Sequence, residues 1–348
     1  MKKLLSLILS MAVALPLAAC GSNSGSASSA AASAAAPAAA ASSAAAPAAS
    51  ANAGAKKYAV ILKTKNTDFW SKMYSGIEAE GKAKGWQVDL YTAKSDDDTE
   101  GQLAILESCI TKGYAGIAIA PCSAVNMITG VKEANSKGIT IVNIDEQFDP
   151  KQMESQGAVC SAYIATDNKA VGQKGAEYLC SQIGAGSQVG VIEGKSGNVS
   201  SEDRAGGAKD AFKAKGMKIV GDQCADWDMQ KALDTAATWI QQYPDMKAIY
   251  CCNDTMVMGA MQAIINANKV GKIKICGTDG NTDAIKSVSE KKLSATIAQD
   301  STSIGSTALD KLVDAVENPS KYKASSQPEK TPINSVLITA DNAAQYLK

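Results

Sequence analysis

From residue 56 onward the chain alternates between two hydrophobic periods. Apolar runs of strand length recur at 58–62, 87–91, 116–120, 140–144, 158–164, 188–192, 218–220, 248–252, 273–276, 295–298 and 335–338. Between them, apolar residues fall at helical spacing over 69–84, 100–111, 125–137, 168–183, 204–215, 231–241, 255–268, 283–290 and 303–317. Each helical spacer is long enough for a right-handed crossover, so the pattern predicts parallel strands with helices on their faces. No sequence repeat is visible, but the plan restarts near residue 166, giving two similar βα runs in series. A Pro- and Lys-rich loop precedes the last strand, and a short helix ends the chain.

The first 55 residues have a different pattern. Met1, Lys2 and Lys3 form a basic start, 4–17 is mostly apolar but short for a membrane span, and Leu17, Ala18 and Ala19 lead into Cys20. Residues 1–19 therefore read as a secretory signal. The Leu-Ala-Ala-Cys-Gly string resembles a bacterial lipobox, in which Cys20 is lipidated and becomes the mature N-terminus. Residues 20–55 are almost wholly Ala, Ser, Pro, Gly and Asn and have no bulky side chain to offset the entropy of ordering. They read as a disordered tether, with Pro37 and Pro47 interrupting any poly-Ala helix. Together these features predict an exported protein, lipid-anchored at the outer face of the bacterial cytoplasmic membrane.

Composition narrows the chemistry. Lys plus Arg and Asp plus Glu number 35 each, so the 348-residue chain is formally neutral, and no basic stripe points to nucleic acid. Histidine is absent, which removes the commonest general base and metal ligand and excludes a Ser-His-Asp triad. Beyond Cys20 the cysteines are Cys109, Cys122, Cys160, Cys180, Cys224, Cys251, Cys252 and Cys276. None has CxxC spacing and several lie in apolar runs, so they read as small buried hydrophobes, with disulfides second and a metal site last. No cofactor is expected.

The strand tips carry the candidate chemistry. The first strand ends at Lys63 and is followed by Phe69 and Trp70; the fourth ends at Asp145 and Glu146. Further on, tips carry Asn253, Asp279 and Gln299, and Trp227 follows another strand. Carboxylates and amides pair with hydroxyl groups, and flat aromatic faces suit the C–H faces of a sugar ring. Each tip residue taken singly fits a turn or cap equally well; the set points to a neutral polyol. Two other motifs fail. Gly190 to Ser196 falls one residue short of a P-loop, because Val189 stands where glycine is required. Asp96 to Glu107 approaches a calcium loop, but helical periodicity from Thr99 onward makes it a solvated helix start.

From residue 58 to the C-terminus, the strings AVILKT, DFW, GIAIAP, VNIDE, ATDN, VIEGKSGN, ADWD, IYCCNDTM, GTDG and ATIAQ occur in order. In these the chain resembles the periplasmic sugar-binding proteins of the ribose/galactose type, the type I periplasmic binding proteins, and within them the D-allose-binding group. The resemblance implies two Rossmann-like, doubly wound α/β lobes joined by three crossovers, near Thr166, Asp300 and Thr331, with a sugar between them. One lobe would span 56–165 and 300–331, the other 166–299 and 332–348. It implies sugar-binding roles for Lys63, Phe69, Trp70, Asp145 and Glu146 from the first lobe, and for Arg204, Trp227, Asn253, Asp279 and Gln299 from the second lobe and hinge. Lys63 with Asp145 and Glu146 is the allose-type pattern; ribose binders have Arg where Glu146 stands. Where the family usually has Asn-Pro before the aromatic pair, this chain has Thr67 and Asp68, which implies a relative of allose with one hydroxyl inverted or missing.

The expected function is that of a monomeric, lipid-tethered solute receptor handing a monosaccharide to an ABC transporter permease, and not that of an enzyme. A receptor presenting sugar to a chemotaxis or sensor-kinase partner would use the same pocket. A sugar-active enzyme using carboxylates such as Asp145, Glu146 and Asp279 is the remaining reading.

Overall fold

The computed structural model describes residues 56–347. The signal, the lipobox cysteine Cys20 and the tether lie outside the described residues.

The first half builds one sheet from β1 (Lys57–Leu62), β2 (Gln87–Thr92), β3 (Gly116–Ile119), β4 (Thr140–Ile144) and β5 (Ala162–Thr166). Helices α1 (Asp68–Lys84), α2 (Thr99–Lys112), α3 (Ile128–Ser136) and α4 (Pro150–Gln156) connect them. The second half repeats the scheme with β6 (Gln188–Glu193), β7 (Lys218–Cys224), β8 (Met246–Cys251), β9 (Lys274–Asp279) and β10 (Ala295–Gln299). Its helices are α5 (Asn168–Ser181), α6 (Val199–Ala214), α7 (Met229–Gln242), α8 (Asp254–Asn266) and α9 (Thr282–Ser289). Then α10 (Ser301–Glu317) packs against α1 in the first lobe. Two last strands, β11 (Lys330–Ile333) and β12 (Ser335–Thr339), close the two sheets. The strand orders are β11-β5-β4-β3-β1-β2 and β12-β10-β9-β8-β6-β7, so the two lobes share one doubly wound topology.

Burial follows from the pattern. β1 is buried on both faces, as a central parallel strand should be. Val60 and Leu62 face a core shared with α1 and α10, while Ala59 and Ile61 face the α2 and α3 side. In the second lobe, Val189, Val191, Ile249 and Ile275 form part of a single core that also takes in Cys251, Cys252 and Cys276. The eight cysteines of the described residues are unpaired, and all but Cys224 are buried. Burial pushes the Cys109 thiol up to about 11 and that of Cys252 to about 12, the inert behaviour expected of small core residues.

The chain passes between the sheets after β5, after β10 and at Asn334, between β11 and β12. The third passage falls three residues beyond the expected Thr331, because β11 holds its pairing with β5 through Ile333. Three elements depart from the periodicity reading. β11 was expected to be loop: it carries Pro332, which only an edge strand tolerates, and β11 pairs on one side alone. β12 runs antiparallel to β10, since one residue joins it to β11 and no crossover helix intervenes. α4 is too short to register as periodicity, although Asp149 caps it, Pro150 opens it and Gly157 closes it at φ 68°.

Among the described residues, no helix is long and apolar enough to cross a membrane. The calcium-loop motif is used up by helix capping: Asp98 accepts from Gly101 N at 3.1 Å and from Lys94 N at 3.0 Å, and α2 starts at Thr99.

Candidate functional site: a cleft between the two lobes

The C-terminal ends of both sheets face one cleft, the position at which open α/β sheets bind ligands. It encloses about 130 Å³. Nine of the ten residues expected there line it: Lys63, Phe69, Trp70, Asp145, Arg204, Trp227, Asn253, Asp279 and Gln299. Thr67, Asp96, Ser200 and Thr255 complete the lining.

One aromatic wall comes from each lobe. Phe69 and Trp70, in the first turn of α1, are buried edge to face, with ring centroids 4.9 Å apart. Trp227, beyond β7, is held by its Nε1–H donating to Asn198 Oδ1 at 3.1 Å. A Cβ on Gly194 would lie 2.2 Å from the Trp227 ring, so only glycine permits this placement.

The polar groups are anchored from behind. Arg204 donates Nε–H to Asn168 Oδ1 (2.8 Å) and Nη1–H to the Cys252 carbonyl (2.9 Å), and stands 3.5 Å from Asp279 Oδ1. Its guanidinium lies 5.9 Å from the Trp227 ring centre. Gln299 Nε2 donates to Asp279 Oδ1 at 2.7 Å. Asn253 Oδ1 accepts from the Met256 amide, capping α8, which leaves its side-chain N–H groups to offer the cleft. Asp145, Trp227 and Asp279 have φ of 58°, 64° and 130°, costly conformations for non-glycine residues and ones that gather at functional sites.

Among the described residues four buried side-chain oxygens lack a protein partner, those of Asp145 (Oδ1), Thr166, Gln188 and Gln299 (Oε1), and the first and last of these lie at the cleft. Asp145 Oδ1 and Gln299 Oε1 therefore offer acceptors to a donor-rich ligand. Burial works against the Lys63 ammonium, but Glu146, Asp145 and Asp96 outweigh it and its pKa is raised. Burial raises the Asp145 carboxyl, with Lys63 and Arg204 opposing. Burial likewise pushes Asp279 up to about 6, against Arg204 and Gln299. The lining thus carries two cations and three carboxylates, close to balance, which suits an uncharged ligand. Among the described residues, no group of three or more Cys, Asp and Glu side chains is placed to hold a metal ion.

Glu146 is the exception among the expected residues. It is fully buried, but it lies outside the lining. Its carboxylate accepts from Val199 N (2.6 Å) and Ser200 Oγ (2.7 Å), both on the opposite lobe. Asn143 holds the Glu146 carbonyl at 2.7 Å and accepts from Phe148 N, so it shapes this tip from behind.

Four lining residues escaped the sequence reading. In the sequence Thr67 stands out only as a departure from the family pattern. Asp96 sat in an acidic run read as a solvated helix start. Ser200 and Thr255 are small polar residues at helix starts, a setting dominated by capping roles.

Residues 58–320 match the periplasmic binding protein domain. The chain belongs to the periplasmic binding protein family. It is 45% identical over 287 residues to the D-allose-binding periplasmic protein of Escherichia coli, covering 82% of this chain and 92% of that protein. It is 31% identical over 281 residues to the ribose import binding protein of Bacillus subtilis, covering 80% and 88%. Among solved structures, an ABC transporter periplasmic solute-binding protein from Actinobacillus succinogenes with bound D-allose superposes with a TM-score of 0.77. That superposition has 28% identity and covers 84% of this chain and all of the other. The two-lobe architecture of this periplasmic binding protein is therefore the family fold.

Proposed function

We propose that this protein is the solute-binding component of an ABC importer for a monosaccharide, D-allose or a close relative. The observation that carries the reading is the cleft itself. An aromatic wall from each lobe faces the other across a space of about 130 Å³, and unpartnered Asp145 Oδ1 and Gln299 Oε1 await hydroxyl donors. The names of the relatives agree with this, since they include D-allose and ribose binders. Ligand contact is assigned to the nine expected residues that line the cleft, with Thr67, Asp96, Ser200 and Thr255 added. No catalytic step is assigned to any of them.

Export and a lipid anchor on Cys20 fit this role, because a receptor tethered beside its permease keeps a high local concentration. Calorimetric titration with D-allose, its epimers, D-ribose and uncharged polyols tests the ligand. The expected outcome is micromolar or tighter binding of one aldose, about −8 kcal/mol or better. Absence of binding across that panel would sink the reading. Cys20→Ser should shift the protein from the membrane to the soluble fraction or block its processing; a variant that still fractionates with membranes like the wild type would refute the anchor.

A further inference from the structure

Five helices belong to the second lobe, and they differ in what caps them. α5, α7 and α8 are capped from their own chain neighbours: Asp167 accepts from Ala170 N, Asp228 from Lys231 N and Asn253 from Met256 N. α6 and α9 also begin with good capping residues, Asn198 and Asn281, yet neither side chain caps its helix. Asn198 is occupied with Trp227.

The missing caps come from the other lobe. Glu146, beyond β4, accepts from Val199 N at 2.6 Å and from Ser200 Oγ at 2.7 Å at the start of α6, and its Oε2 also lies 3.9 Å from Nζ of the cleft residue Lys63. Asp68, the first residue of α1, accepts from Thr282 N at 2.9 Å at the start of α9. A carboxylate at a helix N-terminus satisfies an otherwise orphaned N–H and sits favourably in the helix dipole. Asp68 stands where the resemblance leads one to expect proline, a residue that has no such acceptor.

We propose that Asp68 and Glu146 are positioning residues for ligand binding: they cap two helices of the opposite lobe only when the lobes are closed, and so lengthen the life of the closed complex without touching the sugar. The proposal rests on the binding function proposed above. Separation of the lobes breaks both caps at once, because each acceptor and its donor belong to different lobes. The caps therefore favour the closed arrangement, and the Asp68 cap, whose carboxylate bonds no lining residue, does so equally for every sugar. They govern how long a sugar stays, whereas the lining residues govern which sugar is taken.

Stopped-flow fluorescence on the full-length protein, with D-allose and D-ribose as probes, tests this. Asp68→Ala and Glu146→Ala should each speed dissociation about tenfold, the order of a lost cap, with association changed much less. For Asp68→Ala the factor should be the same for both sugars, so their affinity ratio is unchanged. Asp68→Asn and Glu146→Gln keep an acceptor and should restore most of the slow dissociation. Small-angle scattering without sugar supplies an independent reading: the alanine variants should have a larger radius of gyration than the wild type. An unchanged off-rate and radius in both alanine variants would overturn the proposal, as would an Asp68→Ala loss that differs between the sugars. If the wild type binds neither sugar, the functional reading fails, and the scattering comparison still decides whether the caps hold the lobes.

Discussion

Arg204 Nη1 and Asp279 Oδ1 stand 3.5 Å apart at the cleft, and each side chain is less than a tenth exposed. Neither group is satisfied by the other alone. Arg204 is also tied to Asn168 and Cys252, and Asp279 to Gln299. All five residues lie on α5, α6, β9 and β10 and just beyond β8, so the pair is anchored by second-lobe elements and the β10 hinge strand.

Removal of either partner leaves the other charge buried and unpaired. Arg204→Ala and Asp279→Ala should each weaken monosaccharide affinity by about 2–5 kcal/mol, beyond the loss of one neutral hydrogen bond. Titration calorimetry measures this directly, and unchanged affinity in both variants would remove the pair from the site.

Asp279 also makes binding depend on pH. Burial, opposed by Arg204 and Gln299, brings its carboxyl to about 6 from an ordinary 3.8. The ionised carboxylate accepts from a hydroxyl more strongly than the protonated acid, so affinity should fall as pH drops through about 6. Stability runs the other way for this group. The folded state holds the proton more tightly than the unfolded, so the contribution is fully present below the unfolded value and is lost as pH rises through about 6. Thermal melts of the sugar-free protein should therefore find the wild type losing ground to Asp279→Asn as pH rises through that window. A difference that does not change with pH would contradict the assignment.

Four tryptophans lie in different surroundings. Trp70 and Trp227 line the cleft from opposite lobes, whereas Trp239 is packed in the second-lobe core against Gly190 and Gly221, and Trp86 sits on the outer side of the first lobe near Lys84. Sugar binding replaces water on the two cleft indoles, so their fluorescence should report it. Trp70→Phe with Trp227→Phe should abolish most of the signal while affinity falls only modestly. Trp86→Phe and Trp239→Phe should preserve it. A full signal surviving in the double variant would mean that the walls are misassigned.

Gly194 tests the wall from behind. Its missing side chain makes room for Trp227, whose ring atoms lie 2.2 Å from the point where a Cβ would be. Gly194→Ala should push the indole from its seat and weaken sugar binding by about tenfold or more, comparable to losing an aromatic contact. The melting temperature should change far less than the affinity, and an unaltered Kd would show that the ring position carries no binding energy.

The sequence by itself determined the two series of βα units, the strand tips as the place for polar side chains, and nine of the thirteen residues that line the cleft. These are local properties. The periods of 2.0 and 3.6 are set by backbone geometry, and a parallel strand that ends in a polar tip exposes that tip at one edge of its sheet. The family strings added which tips share a site. Tertiary structure decided what no local pattern carries: the fate of Glu146 and Asp68, the recruitment of Asp96 and Ser200, the edge strand β11 and the reversed β12. A carboxylate looks the same in sequence whether it awaits a hydroxyl or already holds two donors. Glu146 meets its partners only when the chain has returned more than fifty residues later, on the other lobe. Its role follows from which donors closure brings within hydrogen-bond range, and that is a property of the assembled lobes.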